Sequence, residues 1–379
     1  MSKPKEISIQ NKGYFAWPYE EQTQIKHKVL GLYYKIYASK LGVNSDILFV
    51  DCHGGCGAYI NKNSLVSYGS SVIVNDVCTS IFLKRKTKSF IIICERDRHN
   101  YDNLNKVISE LKINNIKTYN NDYNSVLTQP RLCSFYKKHP TLFFIDPFGY
   151  YDTPMANMSD LMSSFGNEIL INFMFDFLNR GISVSSVDEA QLTSFFGSAE
   201  WKKARLKSGT ERESFLVNLY KERLKATTNA KFVFAYRLCY PTKNQTYYYL
   251  IHATNHIDGI NNMKNSFASI NNGRVEYLGR KNNDISLFDM DSFKQEELSC
   301  FLKEKFNGES ITFDELLESI VEDTATIEKD LRSTVKTMEQ NGSVFIQRIS
   351  SAKTGLKGKD KIIFKVISNA NDKTKDNVI

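Results

Sequence analysis

Five short apolar runs, each the length of a buried strand, recur with helix-length stretches between them. They are Ile47 to Asp51, Phe90 to Glu95, Ile116 to Asn120, Thr141 to Asp146 and Glu168 to Phe175. Strand-sized runs alternating with helical segments are the pattern of parallel βα units. After a helical stretch containing QLTSFFGSAEWKKARL come KFVFAYRLCY and TYYYLIHATNH, joined only by PTKNQ. A parallel crossover needs a dozen or more residues, so this pair must form an antiparallel hairpin. The chain is therefore expected to build a doubly wound, mostly parallel α/β sheet of seven strands that ends in an antiparallel pair.

The flanks read differently. Before the first strand, WPYEEQTQIKHKVLGLYYKIYASKLG carries Ile25, Val29, Leu32, Tyr33 and Ile36 at helical spacing and ends at Gly42, a C-cap candidate. This helix is expected over the sheet edge or the mouth of the crevice. From Ser292 onward three helical segments follow, the last with Thr324 as N-cap and Asn341-Gly342 as its stop. SVFIQRIS and KIIFKV, on either side of the basic loop SAKTGLKGKD, then read as a β-hairpin. Three helices and a hairpin with a basic tip make a small α+β winged helix-turn-helix domain. The expected division is a disordered or extended N-terminus over 1–13, the α/β domain over 14–271, a linker over 272–291, the winged domain over 292–367 and a disordered tail over 368–379.

With 379 residues, 41% of them hydrophobic and 24% charged, the chain has the make-up of an ordinary globular protein long enough for two domains. No apolar run approaches the ~20 residues of a bilayer span, and the N-terminus lacks the apolar core of a signal peptide. A cytoplasmic protein is expected. Its 7 cysteines are scattered, which suits reduced thiols. A formal charge of +8 permits a polyanionic partner.

The first strand runs into LFVDCHGGCGAYI, which has three readings. Cys52, His53 and Cys56 offer metal donors, but zinc needs four ligands and no second cluster supplies the rest, so no metal is expected. Alternatively the turn is purely structural. As a nucleotide cradle, Asp51 with Gly54, Gly55 and Gly57 follows a strand and precedes a helix-length segment, where glycines let the backbone approach a ligand. A dinucleotide fingerprint would continue to a third glycine, and Ile60 stands there instead. Glu95, at the tip of the second strand, is placed to bind a ribose diol, and Asp122, after the third, to accept from an adenine amino group. A glycine turn, then an acid after strand two, then an acid after strand three is the ordered set S-adenosylmethionine needs.

The fourth strand ends in FFIDPFGY, at the crevice where open α/β sheets place their chemistry. The Asp146 carboxylate and Pro147 carbonyl can converge on one amino group while Phe148 stacks on a flat base. That arrangement orients an exocyclic nitrogen for methyl transfer. Beyond strand five, Asn172, Asn179 and Arg180 are expected to border the same crevice, with Arg180 meeting a phosphate, pairing with Asp146 or making a structural salt bridge.

A parallel sheet ending in one antiparallel pair is the layout of class I S-adenosylmethionine-dependent methyltransferases. WPYEEQTQIKHKVLGLYYKIY, FVDCHGGCGAY, YGSSVIV, FIDPFGY, EILINFMFDFLNR and YYYLIHATNHIDGINNMK together resemble the three-Cys-motif partner proteins, TcmP, in family order over roughly residues 14 to 270. The resemblance implies a methyltransferase-like fold working beside a separate radical-enzyme-like protein that bears the three cysteines. The family's glycine segment usually reads like DLFAGPG, from which Cys52, His53, Gly55 and Cys56 depart. Asp-Pro-Phe-Gly also resembles the corresponding motif of tRNA guanine-N2 methyltransferases, which points to an exocyclic amine.

In the C-terminal domain, Lys329, Arg332 and Lys336 share one helix face. A wing carrying Arg348, Lys353, Lys357, Lys359 and Lys361 is placed to straddle a phosphate backbone. The expected function is methylation of an exocyclic amine on a DNA or RNA base, in partnership with the three-Cys-motif protein. The alternative is a catalytically silent adapter that brings nucleic acid to that partner.

Overall fold

The computed structural model describes residues 5–9, 12–150, 153–183, 188–228, 230–239, 245–270, 275–278, 288–289, 295–349 and 355–366. The chain divides into two units, Met1–Leu287 and Phe288–Ile379.

The first unit begins with β1 (Lys5–Ile9) and β2 (Lys12–Pro18), an antiparallel pair of which β1 and the start of β2 fall in the stretch expected to be disordered or extended. Then come α1 (Glu21–Leu41), β3 (Ile47–Asp51), β4 (Ala58–Ile60), β5 (Val66–Tyr68), α2 (Ser70–Arg85), β6 (Ser89–Cys94), α3 (Arg98–Glu110) and β7 (Ile116–Tyr119). They are followed by α4 (Tyr123–Leu127), α5 (Pro130–Tyr136), β8 (Thr141–Ile145), β9 (Glu168–Phe173), α6 (Phe175–Ile182), α7 (Glu189–Phe196) and α8 (Gly209–Thr228). The unit closes with β10 (Phe232–Cys239), β11 (Thr246–Thr254), α9 (Ile257–Ala268) and β12 (Val275–Leu278).

Seven of these strands form the expected sheet in the order β10-β11-β9-β8-β3-β6-β7. β3, β6, β7, β8 and β9 are parallel, and β11 runs antiparallel to both β9 and β10. Every residue of β3, β8 and β9 is buried, as expected for strands covered on both faces. β12 adds an antiparallel strand beside β10, so the sheet extends into the stretch expected to be a linker.

Register brings the strand ends together: Asp51 lies beside Ile93 of β6 and Phe144 of β8, so acids one or two positions beyond those residues emerge at a common edge. α3 starts where the Asp97 carboxylate accepts the Asn100 N–H at 2.8 Å, and it buries Leu104, Val107 and Ile108. β4 and β5 form a hairpin between the glycine turn and α2, where a helix was expected to follow directly. β4 pairs parallel with β2, setting Trp17 opposite Tyr59, and the resulting sheet has the order β1-β2-β4-β5.

The second unit contains β13 (Phe288–Asp289), α10 (Gln295–Lys305), β14 (Ser310–Thr312), α11 (Phe313–Ile320), α12 (Glu328–Gln340), β15 (Val344–Gln347) and β16 (Lys361–Phe364). Its sheet order is β14-β16-β15, all antiparallel. Thr312 and Glu315 form a reciprocal capping box at α11. α12 has Ile327, not Thr324, at its N-cap; the Thr324 hydroxyl instead donates to the Ile320 carbonyl at 3.3 Å. The stop is as expected, with Asn341 as C-cap and Gly342 at φ +73°.

Residues 288–379 hold 14 Lys and Arg against 17 Asp and Glu, so the positive excess of the chain lies in the first unit. Within them the segment between β15 and β16 is basic. Among the described residues no helix is long and apolar enough to cross a membrane.

Candidate active site

The carboxyl ends of β3, β6, β7 and β8 open on one edge of the sheet, where two cavities lie. The first, of about 490 Å³, is walled by Cys52, His53, Glu95, Asp97, Asp122 and Tyr123, and is closed on one side by Phe148 and Gly149. The second, of about 120 Å³, is walled by Trp17, Lys26, Tyr59, Asp146, Pro147, Phe148, Asn172 and Tyr248. Phe148, 57% exposed, belongs to both walls.

The glycine turn is held by backbone groups. Gly54 N–H donates to the Cys94 carbonyl at 2.9 Å, and Gly55 N–H donates to Glu95 Oε2 at 2.8 Å. Glu95 Oε1 accepts the Asp97 N–H at 2.7 Å, so one carboxylate joins the turn to the start of α3. Burial raises its pKa above the ordinary value, against those two hydrogen bonds.

The glycines have separate reasons. A Cβ on Gly54 would stand 2.2 Å from Ile93 Cγ2, and one on Gly57, at φ +79°, 2.8 Å from Leu104 Cδ1. Close packing on β6 and α3 requires a glycine at those two positions. Gly55, at φ +62°, meets nothing within 4 Å. Gly54→Ala is accordingly expected to cost about 1–3 kcal/mol of stability through overpacking, read as a lowered midpoint in thermal unfolding.

Asp51 lies behind the turn, fully buried, and lines neither cavity. It accepts from the His53 N–H at 3.1 Å and from the Ser70 hydroxyl. Burial pushes its carboxyl up to about 7. Asp122 does line the first cavity while capping α4, accepting from Ser125 N–H at 3.0 Å and Ser125 Oγ at 2.6 Å. Burial raises its pKa, but those bonds outweigh it and hold the carboxyl below its ordinary range.

At the second cavity each oxygen of Asp146 has one partner. Lys26 Nζ lies 2.5 Å from its Oδ2, with side chains 8% and 16% exposed, and Asn172 Nδ2 donates to its Oδ1 at 2.7 Å. Burial alone would raise the Asp146 pKa; the Lys26 charge, its hydrogen bond and the Asn172 amide together lower it. Facing a carboxylate, the Asn172 amide must present its nitrogen, which leaves Oδ1 buried with no hydrogen-bond partner among the described residues. Trp17 Nε1 is a second buried polar atom without a partner, on the same cavity. Next to Lys26, His27 is pushed down to about 3 by burial and by the Lys26 charge, and its Nδ1 shares a 3.1 Å hydrogen bond with the Tyr19 hydroxyl.

Of the roles expected for Arg180 the structure has the structural salt bridge, a pair with Asp176 at 3.2 Å on α6. The partner of Asp146 is Lys26, which sequence reasoning missed. Its signal was a lysine at four-residue spacing within a buried stripe, Gln22, Lys26, Leu30, and on through Tyr33 and Tyr37. The stripe was expected to include Leu32, which is 39% exposed. Cys52 and Cys56 are buried free thiols with pKa values raised by burial. Among the described residues no group of three or more His, Cys, Asp or Glu is gathered to hold a metal.

In the second unit Lys329, Lys336, Lys357 and Lys359 are exposed, whereas Lys353 lies outside the described residues. Arg332 is tied down: it bonds Glu328 Oε1 at 2.9 and 2.6 Å, donates to the Leu356 carbonyl, and lies 4.0 Å over the Phe313 ring. Arg348 makes a two-pronged pair with Glu339 at 2.7 and 2.6 Å. Neither arginine is available as the expected phosphate contact in this arrangement.

The sheet order and the crevice beside the glycine turn define a class I methyltransferase-like fold. Among solved structures the chain is similar to an rRNA methylase from Streptococcus thermophilus, at 9% identity and TM-score 0.32, over 62% of this chain and 97% of that one. It is also similar to protein LPL1258 from Legionella pneumophila, at 12% and 0.35 over 66% and 95%, and to M. jannaschii TYW2 in complex with AdoMet, at 9% and 0.31 over 66% and 84%. No protein-family model and no curated protein matches the sequence.

Proposed function

We propose that this chain is an S-adenosylmethionine-dependent methyltransferase acting on an exocyclic amine of a nucleic-acid base, and that it works as a three-Cys-motif partner protein. The observation that carries this reading is the pair of cavities meeting at Phe148, one edged by Glu95 and Asp122, the other aromatic and built on Asp146. Each Glu95 oxygen accepts one backbone N–H, and a carboxylate has about four acceptor sites, so it retains capacity for a ribose diol. When bound, the cofactor would supply an electrophilic methyl group. Trp17, Tyr59, Phe148 and Tyr248 would then sandwich a flat base in the second cavity. Trp17 Nε1–H and Asn172 Oδ1, a donor and an acceptor left unpaired there, match the mixed donor and acceptor edge of a nucleobase. The ionised Asp146 would accept from the amino group and orient its lone pair.

Isothermal titration tests the cofactor half. Wild type is expected to bind S-adenosylmethionine and its demethylated product, and Glu95→Gln to bind about tenfold more weakly, as for loss of one charge-assisted hydrogen bond. No binding of either compound by wild type overturns the enzyme reading.

One observation favours the adapter as a second reading: both oxygens of Asp146 are already engaged by the protein itself. Retained activity of the complex with the three-Cys-motif partner after Asp146→Asn would decide for it.

A further inference from the structure

A third cavity, of about 860 Å³, lies on the first unit away from the crevice, between α2, α5 and the outer strands β6 and β7. Its floor is apolar: Phe90, Ile91, Ile92, Ile116, Leu132 and Phe135. Three cations, Lys88, Lys117 and Arg131, stand in its wall, and no carboxylate does. All three are exposed, none has an ion pair among the described residues, and Lys117 Nζ lies 5.1 Å from the Tyr119 ring centroid. Two phenylalanines on the wall face solvent, Phe82 at 46% and Phe90 at 39% exposure. At the rim, Lys84 and Lys86 are exposed as well, with Lys86 Nζ 5.4 Å from the Phe82 ring centroid. Lys86 holds this place in a left-handed conformation, φ +61°, its N–H donating to the Phe82 carbonyl at 2.9 Å.

We propose that this groove binds a single-stranded nucleic-acid segment, with bases stacked on Phe82 and Phe90 and phosphates held by Lys88, Lys117 and Arg131. Exposed aromatic rings interleaved with unpaired cations, and an absence of acid in the wall, are what a strand requires: stacking for the bases and charge for the backbone. An acidic helix would answer the charge but would leave the solvent-facing rings without a flat partner. The charge partition supports the placement, since the positive excess resides in this unit and two arginines of the small unit are bound internally. The inference rests on the proposed function only for the class of substrate. Along β6, at ~3.3 Å per residue, Phe90 stands roughly 15–20 Å from Glu95, so the residues to be substituted are separable from the cofactor side.

Fluorescence anisotropy with a labelled 20-nucleotide oligo(dT) tests it, read alongside cofactor titration. The triple variant Lys88→Ala, Lys117→Ala, Arg131→Ala is expected to bind at least tenfold more weakly in low salt. Its slope of log affinity against log salt should be shallower by about 2, at roughly 0.7 per lost single-strand contact. Phe82→Ala with Phe90→Ala should weaken binding about tenfold or more with an unchanged slope. Both variants should bind S-adenosylmethionine as wild type does, and Glu95→Gln should bind the oligonucleotide as wild type does. Unlabelled strand should compete, whereas thymidine monophosphate at equal nucleotide concentration should not; equal competition would reassign the groove to a free nucleotide. The proposal is overturned by an affinity and slope that the triple variant leaves unchanged, or by a slope lost entirely on Lys357→Ala with Lys359→Ala.

Discussion

Lys26→Met is expected to destabilise the first unit by about 3–5 kcal/mol, because it leaves the buried Asp146 carboxylate without its counter-ion. In a unit of this size each kcal/mol moves the melting midpoint by roughly 2–4 °C, so the fall should be on the order of 10 °C. The double variant Lys26→Met, Asp146→Asn should recover most of it, since two neutral side chains of similar shape carry no stranded charge into the core. A double variant no more stable than Lys26→Met would mean that the loss comes from packing around the lysine stem. The same coupling governs how the site should be probed. Asp146→Ala strands the ammonium as well as removing the acceptor, so its loss of activity would mix unfolding with chemistry. Asp146→Asn is the cleaner probe.

The second large effect belongs to Asp51. Its native pKa of about 7 lies above the ~3.9 of an unfolded aspartate, so the native state keeps a proton that the unfolded state has already released. Between about pH 4 and 7 this group therefore lowers stability as pH rises, by at most on the order of 4 kcal/mol, and above 7 the penalty stays constant. Asp51→Asn removes the ionisation. Its melting midpoint relative to wild type should climb between pH 5 and pH 8. A difference independent of pH would show that Asp51 is ionised throughout, held by the Ser70 hydroxyl and the His53 N–H.

Local periodicity carried the sheet. β3, β6, β7, β8 and β9 are continuous apolar runs, and the short link between β10 and β11 forced their pairing. The acids at the carboxyl ends followed from the same reading, because register alone brings Glu95, Asp122 and Asp146 to one edge. What was not legible depends on pairing between distant segments. Trp17 and Tyr59 enter the second cavity only because β2 lies beside β4, and nothing in either short strand announces the other. Lys26 was hidden by helical phase: the stripe chosen through Leu32 and Ile36 turned the lysine outward, whereas the buried face is wide enough to take in Gln22, Lys26 and Leu30. The packing role of the glycines was hidden for a related reason. Sequence shows that a side chain is missing, but only the neighbours Ile93 and Leu104 show what occupies its place.

The pairing of β2 with β4 has a further consequence. Its partners flank α1 and β3 in the chain, so this wall of the second cavity is a contact between segments distant in sequence. The glycine turn is tied to the same strand through Asn103 of α3, whose amide nitrogen donates to the Phe15 and Cys56 carbonyls at 3.0 and 2.7 Å and whose Oδ1 accepts the Phe15 N–H at 3.1 Å. Two residue pairs join β2 to β4, and these bonds reinforce that short seam. One asparagine side chain thus couples the strand that brings Trp17 to the second cavity to the turn beside the first, so a loosening of β2 would be felt at both.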